Sequence, residues 1–141
     1  MYLVDTCVVS EARKQSGAHP GVRAFLQRVI EERAPVYLSV ITVGELRRGV
    51  EAIRGRGGAQ QAGRLERWLD NLLSTYPEQV LGSDFDTGQL WGAIPMPAGV
   101  GPLDRQIAAT ASIHDLTLVT DKESDFSGAG ITVFNPFRPA G

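Results

Sequence analysis

Apolar and polar positions fall along this chain in blocks that read alternately as strand and helix. Met1-Tyr2-Leu3-Val4 is a short continuous apolar run closed by Asp5 and Thr6. That pattern suits a strand buried on both faces, as in the middle of a parallel sheet. Val8 to Lys14 follows as a short helix, ended by Gln15-Ser16-Gly17. Pro20 opens a second helix at a position where a first-turn proline is tolerated. Val22, Phe25, Leu26, Val29 and Ile30 then recur at helical spacing. Pro35 stops that helix, and Val36 to Val40 reads as the next strand.

Helices from about Ile41 to Arg54 and from Ala59 to Tyr76 flank the turn Gly55-Arg56-Gly57-Gly58 and form a helical hairpin. Val80-Leu81 is a short strand, and Ser83 to Asp86 offers a capping-box start for a helix running to about Ile94. Pro95 to Gly99 is a loop. Pro102 begins a helix through His114, and Leu116 to Thr120 and Ile131 to Phe134 are the last strands. Strands separated by helices of this length imply an α/β fold, a parallel sheet covered on both faces. With no repeat, low-complexity tract or linker, residues 1–141 are expected to form a single domain.

Composition narrows the function classes. At 141 residues with 43% apolar and 21% charged residues, the chain is an ordinary globular one, long enough for a core without staples. Cys7 is the only cysteine, which excludes an internal disulfide and a zinc site of the finger type. No apolar run approaches the ~20 residues of a membrane span. No charged region followed by a signal-type apolar core stands at the N-terminus, so a cytoplasmic protein is expected. The formal net charge of −2 gives no global attraction to nucleic acid. An RNA substrate would have to be drawn by a local patch or by bound cations.

The acidic residues carry the candidate chemistry. Asp5 stands at the carboxyl end of the first strand, where parallel sheets place their ligands; capping the helix after it is the plainer role. Glu45 lies in the first turns of its helix, with Gly49 and Ala52 four and seven residues on, a face of little bulk. Asp104 shares a helix face with Ile107, Ala108 and Ala111, where a charge is costly unless paired or metal-bound. Asp121 ends the strand Leu116 to Thr120 as Asp5 ends the first, and Asp125 follows four residues later. Thr6, Ser39 and Thr120 supply hydroxyls at the same edge to orient the carboxylates. Carboxylates gathered without His or Cys call for a hard divalent cation, Mg²⁺ or Mn²⁺, which activates water toward a phosphodiester.

Leu3-Val4-Asp5-Thr6, Ser39 to Gly49 around Glu45, Asp104 to Ala111, and Leu118-Val119-Thr120 through Asp125-Phe126 are similar, in this order, to PIN-domain proteins. More narrowly they resemble the VapC group, ribonuclease toxins of toxin–antitoxin pairs. The resemblance covers nearly the whole chain. It implies a three-layer sandwich with a central parallel sheet of about four to five strands. It also implies an endoribonuclease dependent on Mg²⁺ or Mn²⁺, inhibited by a cognate antitoxin and usually dimeric. Asp5, Glu45 and Asp104 then form the acidic core, with Asp121 or Asp125 as the fourth acid. Asp5, Asp104 and Asp121 are the expected metal ligands. Lys122 stands where an Asn or Asp is frequent. The stretch from Trp91 to Asp104 is shorter and richer in proline than the family pattern, a departure that bears on the substrate entrance.

Six arginines face three glutamates between Glu45 and Arg67. Arg47, Arg48 and Arg54 are therefore candidates for contact with RNA or antitoxin, against a helix surface of solvated ion pairs. The apolar faces of the helices from Val22 and from Ile41 add to the expectation of a homodimer, or of a hetero-oligomer with the antitoxin. Rival readings are a housekeeping RNA-processing nuclease and a non-catalytic binding module on the same scaffold. A phosphohydrolase forming an aspartyl-phosphate is a third, disfavoured because Cys7 stands where its second aspartate would be.

Overall fold

Leu3 and Val4, neighbours in the first strand, belong to different cores. Leu3 packs with Leu118, Ile94, Ile107, Ala111 and Phe126. Val4 packs with Val119, Val8, Val22, Phe25, Leu46 and Leu69 on the other side of the sheet. Side chains of a strand alternate between faces, so a strand covered on both sides must be apolar throughout. Each fully buried Leu or Phe contributes about 1.5–3 kcal/mol to this layering.

The computed structural model describes residues 1–139. Its elements in order are β1 (Tyr2–Val4), α1 (Thr6–Ala12), α2 (Pro20–Glu32), β2 (Val36–Ser39), α3 (Val40–Gly55), α4 (Ala59–Thr75), β3 (Val80–Leu81), α5 (Phe85–Ala93), α6 (Pro102–Ile113), β4 (Thr117–Val119) and β5 (Val133–Phe134). The strands form one parallel sheet in the order β3-β2-β1-β4-β5. β1 lies at the centre, with Leu3 opposite both Tyr37 and Leu118. α5 and α6 cover one face, and α1 to α4 serve the other core. This is the expected three-layer α/β sandwich. No helix among the described residues is long and apolar enough to cross a membrane.

The departures from expectation sit at element ends. α1 begins at Thr6, not Val8, because Asp5 already occupies the N-cap. The cap of α5 is Asp84, whose carboxylate accepts from both the amide and the hydroxyl of Thr87 at 2.9 Å. Ile131 and Thr132 stay outside β5, which pairs with β4 only at Val133 and Phe134. Glu45 is half-buried, while Gly49 and Ala52 farther along its face of α3 are exposed.

One glycine is required by close approach. Gly21, in the first turn of α2, lies against the segment that follows β5, and a Cβ there would come within 1.8 Å of the Pro136 carbonyl oxygen. His19 caps α2 by accepting the Gly21 amide at Nδ1, 3.0 Å away, and its ring meets Phe137 of that segment edge-on. His19 is thus a structural cap. Gly21→Ala should lower stability by about 1–3 kcal/mol through overpacking. Gly49→Ala, in open space on an exposed helix face, should raise it by about 0.5–1 kcal/mol. Urea unfolding of the two variants beside wild type checks both signs.

Candidate active site

The site begins where the central strand ends. Asp5 follows β1, and its amide donates to the Val119 carbonyl at 2.9 Å, which ties it to the end of β4. Its carboxylate is only 1% exposed. Oδ1 accepts the Thr6 amide and Oδ2 accepts the Thr120 hydroxyl, each at 2.8 Å. Asp5 therefore serves as helix cap and as cross-strand anchor at once. Burial pushes its carboxyl above the ordinary range. The Thr120 hydroxyl, the Thr6 amide and the Lys122 charge pull the other way, and Asp104 adds to the rise.

Glu45 reaches the same edge from α3. The Thr6 hydroxyl donates to its Oε1 at 2.7 Å and lies 3.2 Å from the hydroxyl of buried Thr42. Asp104 arrives from the first turn of α6. Its Oδ1 is 3.4 Å from the ammonium nitrogen of Lys122, whose amide is held by the Thr120 hydroxyl oxygen at 3.1 Å. Burial would lower the Lys122 pKa, but Asp5, Asp104 and Glu45 together outweigh it and raise it. Three carboxylates from three elements thus act on one ammonium.

The remaining candidates divide between this cluster and its surroundings. The side chain that the 120s turn sends into the cluster is Lys122, while Asp121 is exposed and beside Cys7. Burial first of all pushes the Cys7 thiol up to about 11, so it is inert at neutral pH. Asp125 sits in the following turn, its amide bonded to the Lys122 carbonyl at 3.1 Å. Thr6 and Thr120 orient carboxylates as expected, whereas Ser39 caps α3 by accepting the Ile41 amide at 3.0 Å. Arg47 pairs with Glu66 and Asp70 of α4 at 2.7 and 2.9 Å. Arg54 pairs with Glu51 and, at 3.1 Å, with Glu66. Both arginines belong to the helical hairpin's own ion-pair network, and Arg48 is exposed.

Two further residues position the site. Arg105 donates to the carbonyls of Ile94, Val100 and Pro97 at 3.2, 3.3 and 3.4 Å. The Trp91 indole donates to the Pro102 carbonyl at 3.0 Å. Together they brace the segment that leads into α6 and hence Asp104. The available signal was an arginine beside a proline-rich loop, whose carbonyls lack regular partners.

The donors are hard oxygens only, they carry net negative charge, and they already attract one cation. That chemistry fits Mg²⁺ or Mn²⁺. Among the described residues no three Asp, Glu, His or Cys side chains close into a coordinating cage. Mg²⁺ commonly keeps several waters and takes only one or two carboxylates directly, so an open set of this kind suits it.

Known proteins match this arrangement along almost its full length. The PIN domain family model matches residues 2–130. Toxin FitB of Neisseria gonorrhoeae is 34% identical, with 98% of this chain and 99% of that protein covered. The VapC ribonuclease Y4jK of Sinorhizobium fredii is also 34% identical, with 99% and 100% covered. The crystal structure of FitAcB from Neisseria gonorrhoeae superposes with a TM-score of 0.82 at 30% identity, covering 99% of this chain and 100% of that one. By its sequence, its five-stranded parallel sheet and its end-to-end likeness to these relatives, the chain belongs to the PIN domain family.

Proposed function

We infer that this protein is the toxin of a toxin–antitoxin pair and acts as an endoribonuclease dependent on Mg²⁺ or Mn²⁺ in the cytoplasm. The observation that carries this reading is the convergence of Asp5, Glu45 and Asp104 on one cationic group at the carboxyl edge of the sheet. The likeness to Toxin FitB and a VapC ribonuclease supports it. Asp5, Glu45 and Asp104 would hold the divalent ion. Such an ion would offset their charges and supply the Lewis acidity that phosphodiester hydrolysis needs.

The protein's own part is orientation and proton handling. Asp5 is fixed by two hydrogen bonds and by burial, so it cannot swing away from the pocket. Glu45 receives the Thr6 hydroxyl on Oε1, which leaves Oε2 to take a proton from the attacking water. Asp104, set by the braced start of α6, completes the negative wall.

For the antitoxin, the arginine-bearing face of the hairpin is the poorer dock, because Arg47 and Arg54 are already paired. An apolar groove of about 440 Å³, lined among others by Val9, Leu26, Val29, Leu72 and Leu73, is the better surface. A homodimer or a hetero-oligomer with the antitoxin is the expected assembly.

Asp5→Asn, Glu45→Gln and Asp104→Asn should each lower Mn²⁺-supported cleavage of RNA by at least about a hundredfold while the circular dichroism spectrum stays native. Full cleavage in EDTA would overturn the reading. Val29→Glu should weaken antitoxin binding by at least about tenfold and leave cleavage intact, measurable by titration calorimetry.

The raised Asp5 pKa gives a stability test in metal-free protein. A carboxyl whose folded pKa exceeds its unfolded value of about 3.9 costs nothing below that value. The penalty grows as pH rises through the unfolded pKa and is complete above the folded one. Asp5→Asn carries no such penalty. In EDTA it should melt above wild type at pH 7, and the gap should close as pH falls toward about 4. A gap independent of pH would show that the Asp5 carboxyl titrates alike in the folded and unfolded states, and would overturn the raised folded pKa.

A further inference from the structure

Lys122 is the residue for which the acidic edge has no obvious need. Its ammonium lies 3.4 Å from Asp104 Oδ1, and Asp5 and Glu45 act on it as well. Its backbone is fixed, since the amide is bonded to the Thr120 hydroxyl oxygen that also serves Asp5. The side chain is not fixed. It is 40% exposed, while the Asp104 side chain is only 17% exposed. A long contact made by a half-exposed lysine is weak and breaks at little cost. Asp104, by contrast, cannot be left without a counter-charge so easily, being largely buried in the first turn of its helix.

We propose that Lys122 is a resident cation that competes with the divalent ion for Asp104, so that metal enters only by displacing the lysine into solvent. This rests on the metal-dependent reading of the site and adds to it a built-in threshold for the ion. Two positive groups cannot share one pocket cheaply. A unit charge a few ångströms from a divalent ion repels it even where solvent screens the pair in part. The lysine must therefore leave, and its ion pair with Asp104 is lost in the exchange. The threshold follows from charge and not from shape, so arginine preserves it and methionine removes it.

The sign of the effect separates this role from a structural one. If Lys122 merely held the turn after β4 in place, removing it would loosen the pocket and weaken metal binding. If it competes, removing it strengthens binding. Mn²⁺ titration by calorimetry and by electron paramagnetic resonance, on full-length wild type, Lys122→Met and Lys122→Arg, reads this directly. The expected result is at least about tenfold tighter Mn²⁺ binding by Lys122→Met, with Lys122→Arg close to wild type. Raising ionic strength should narrow the difference. Equal or weaker binding by Lys122→Met, with wild type binding normally, overturns the lysine's role and leaves the nuclease reading standing. Failure of all three proteins to bind Mn²⁺ at millimolar concentration removes the metal-dependent reading itself, and this inference with it. Should Lys122→Met melt far below wild type, Lys122→Gln provides the same charge removal with a polar end.

Discussion

The carboxylate of Asp5 is the constraint around which this structure is arranged. A charge that is almost inaccessible to water at the end of the central strand costs several kcal/mol unless it is met by donors. Two donors meet it, and each fixes a different part of the fold. The Thr6 amide requires α1 to start at once after β1. The Thr120 hydroxyl requires β4 to lie beside β1 with Val4 opposite Val119, so that the residues after both strands face each other. The same Thr120 oxygen accepts the Lys122 amide, which bends the turn after β4 back over this edge. The strand order and the site are therefore one problem. A register slip of one residue between β1 and β4 would turn Leu118 and Val119 onto the wrong faces. It would also strand Asp5 without its hydroxyl.

How much of this was legible from the sequence depends on the distance over which each feature is decided. The elements were legible because their causes are local: Pro20 and Pro102 mark helix starts, Gly57-Gly58 breaks the hairpin, and the apolar runs of β1, β2 and β4 are short and continuous. Asp5 and Asp104 could be singled out because one ends a buried strand and the other breaks an apolar helix face. What could not be read was pairing. Asp5 and Thr120 are 115 positions apart, and nothing local marks them as partners. The same holds for Arg47, whose charge looked available until Glu66 and Asp70 of the facing helix claimed it. Ser39 could be seen as a hydroxyl at the sheet edge. Whether it would face a carboxylate or the amide of Ile41 was settled by the helix beginning directly after it. In the turn after Thr120 the sequence offered two acids and a lysine. The direction each side chain takes there depends on the bend of a short turn, which residue type does not encode.

The approach to α6 illustrates how a short, proline-rich connection can place a reactive group without regular structure. Pro95, Pro97 and Pro102 carry no amide hydrogen, so the loop between α5 and α6 cannot build a ladder of its own. Its carbonyls still need donors. One guanidinium supplies three of them: Arg105 binds the carbonyls at 94, 97 and 100, which pulls the loop into an arc around a single side chain. Trp91 then takes the carbonyl of Pro102, the first residue of α6. Arg105 is the immediate neighbour of Asp104, so the loop is gathered onto the same turn of helix that presents the acid. α6 is anchored from below by Ile107, Ala108 and Ala111 in the core and from above by these four hydrogen bonds. Between the two anchors, Asp104 has little freedom to retreat from the pocket. The position of the acid is thus held by bonds the loop itself makes.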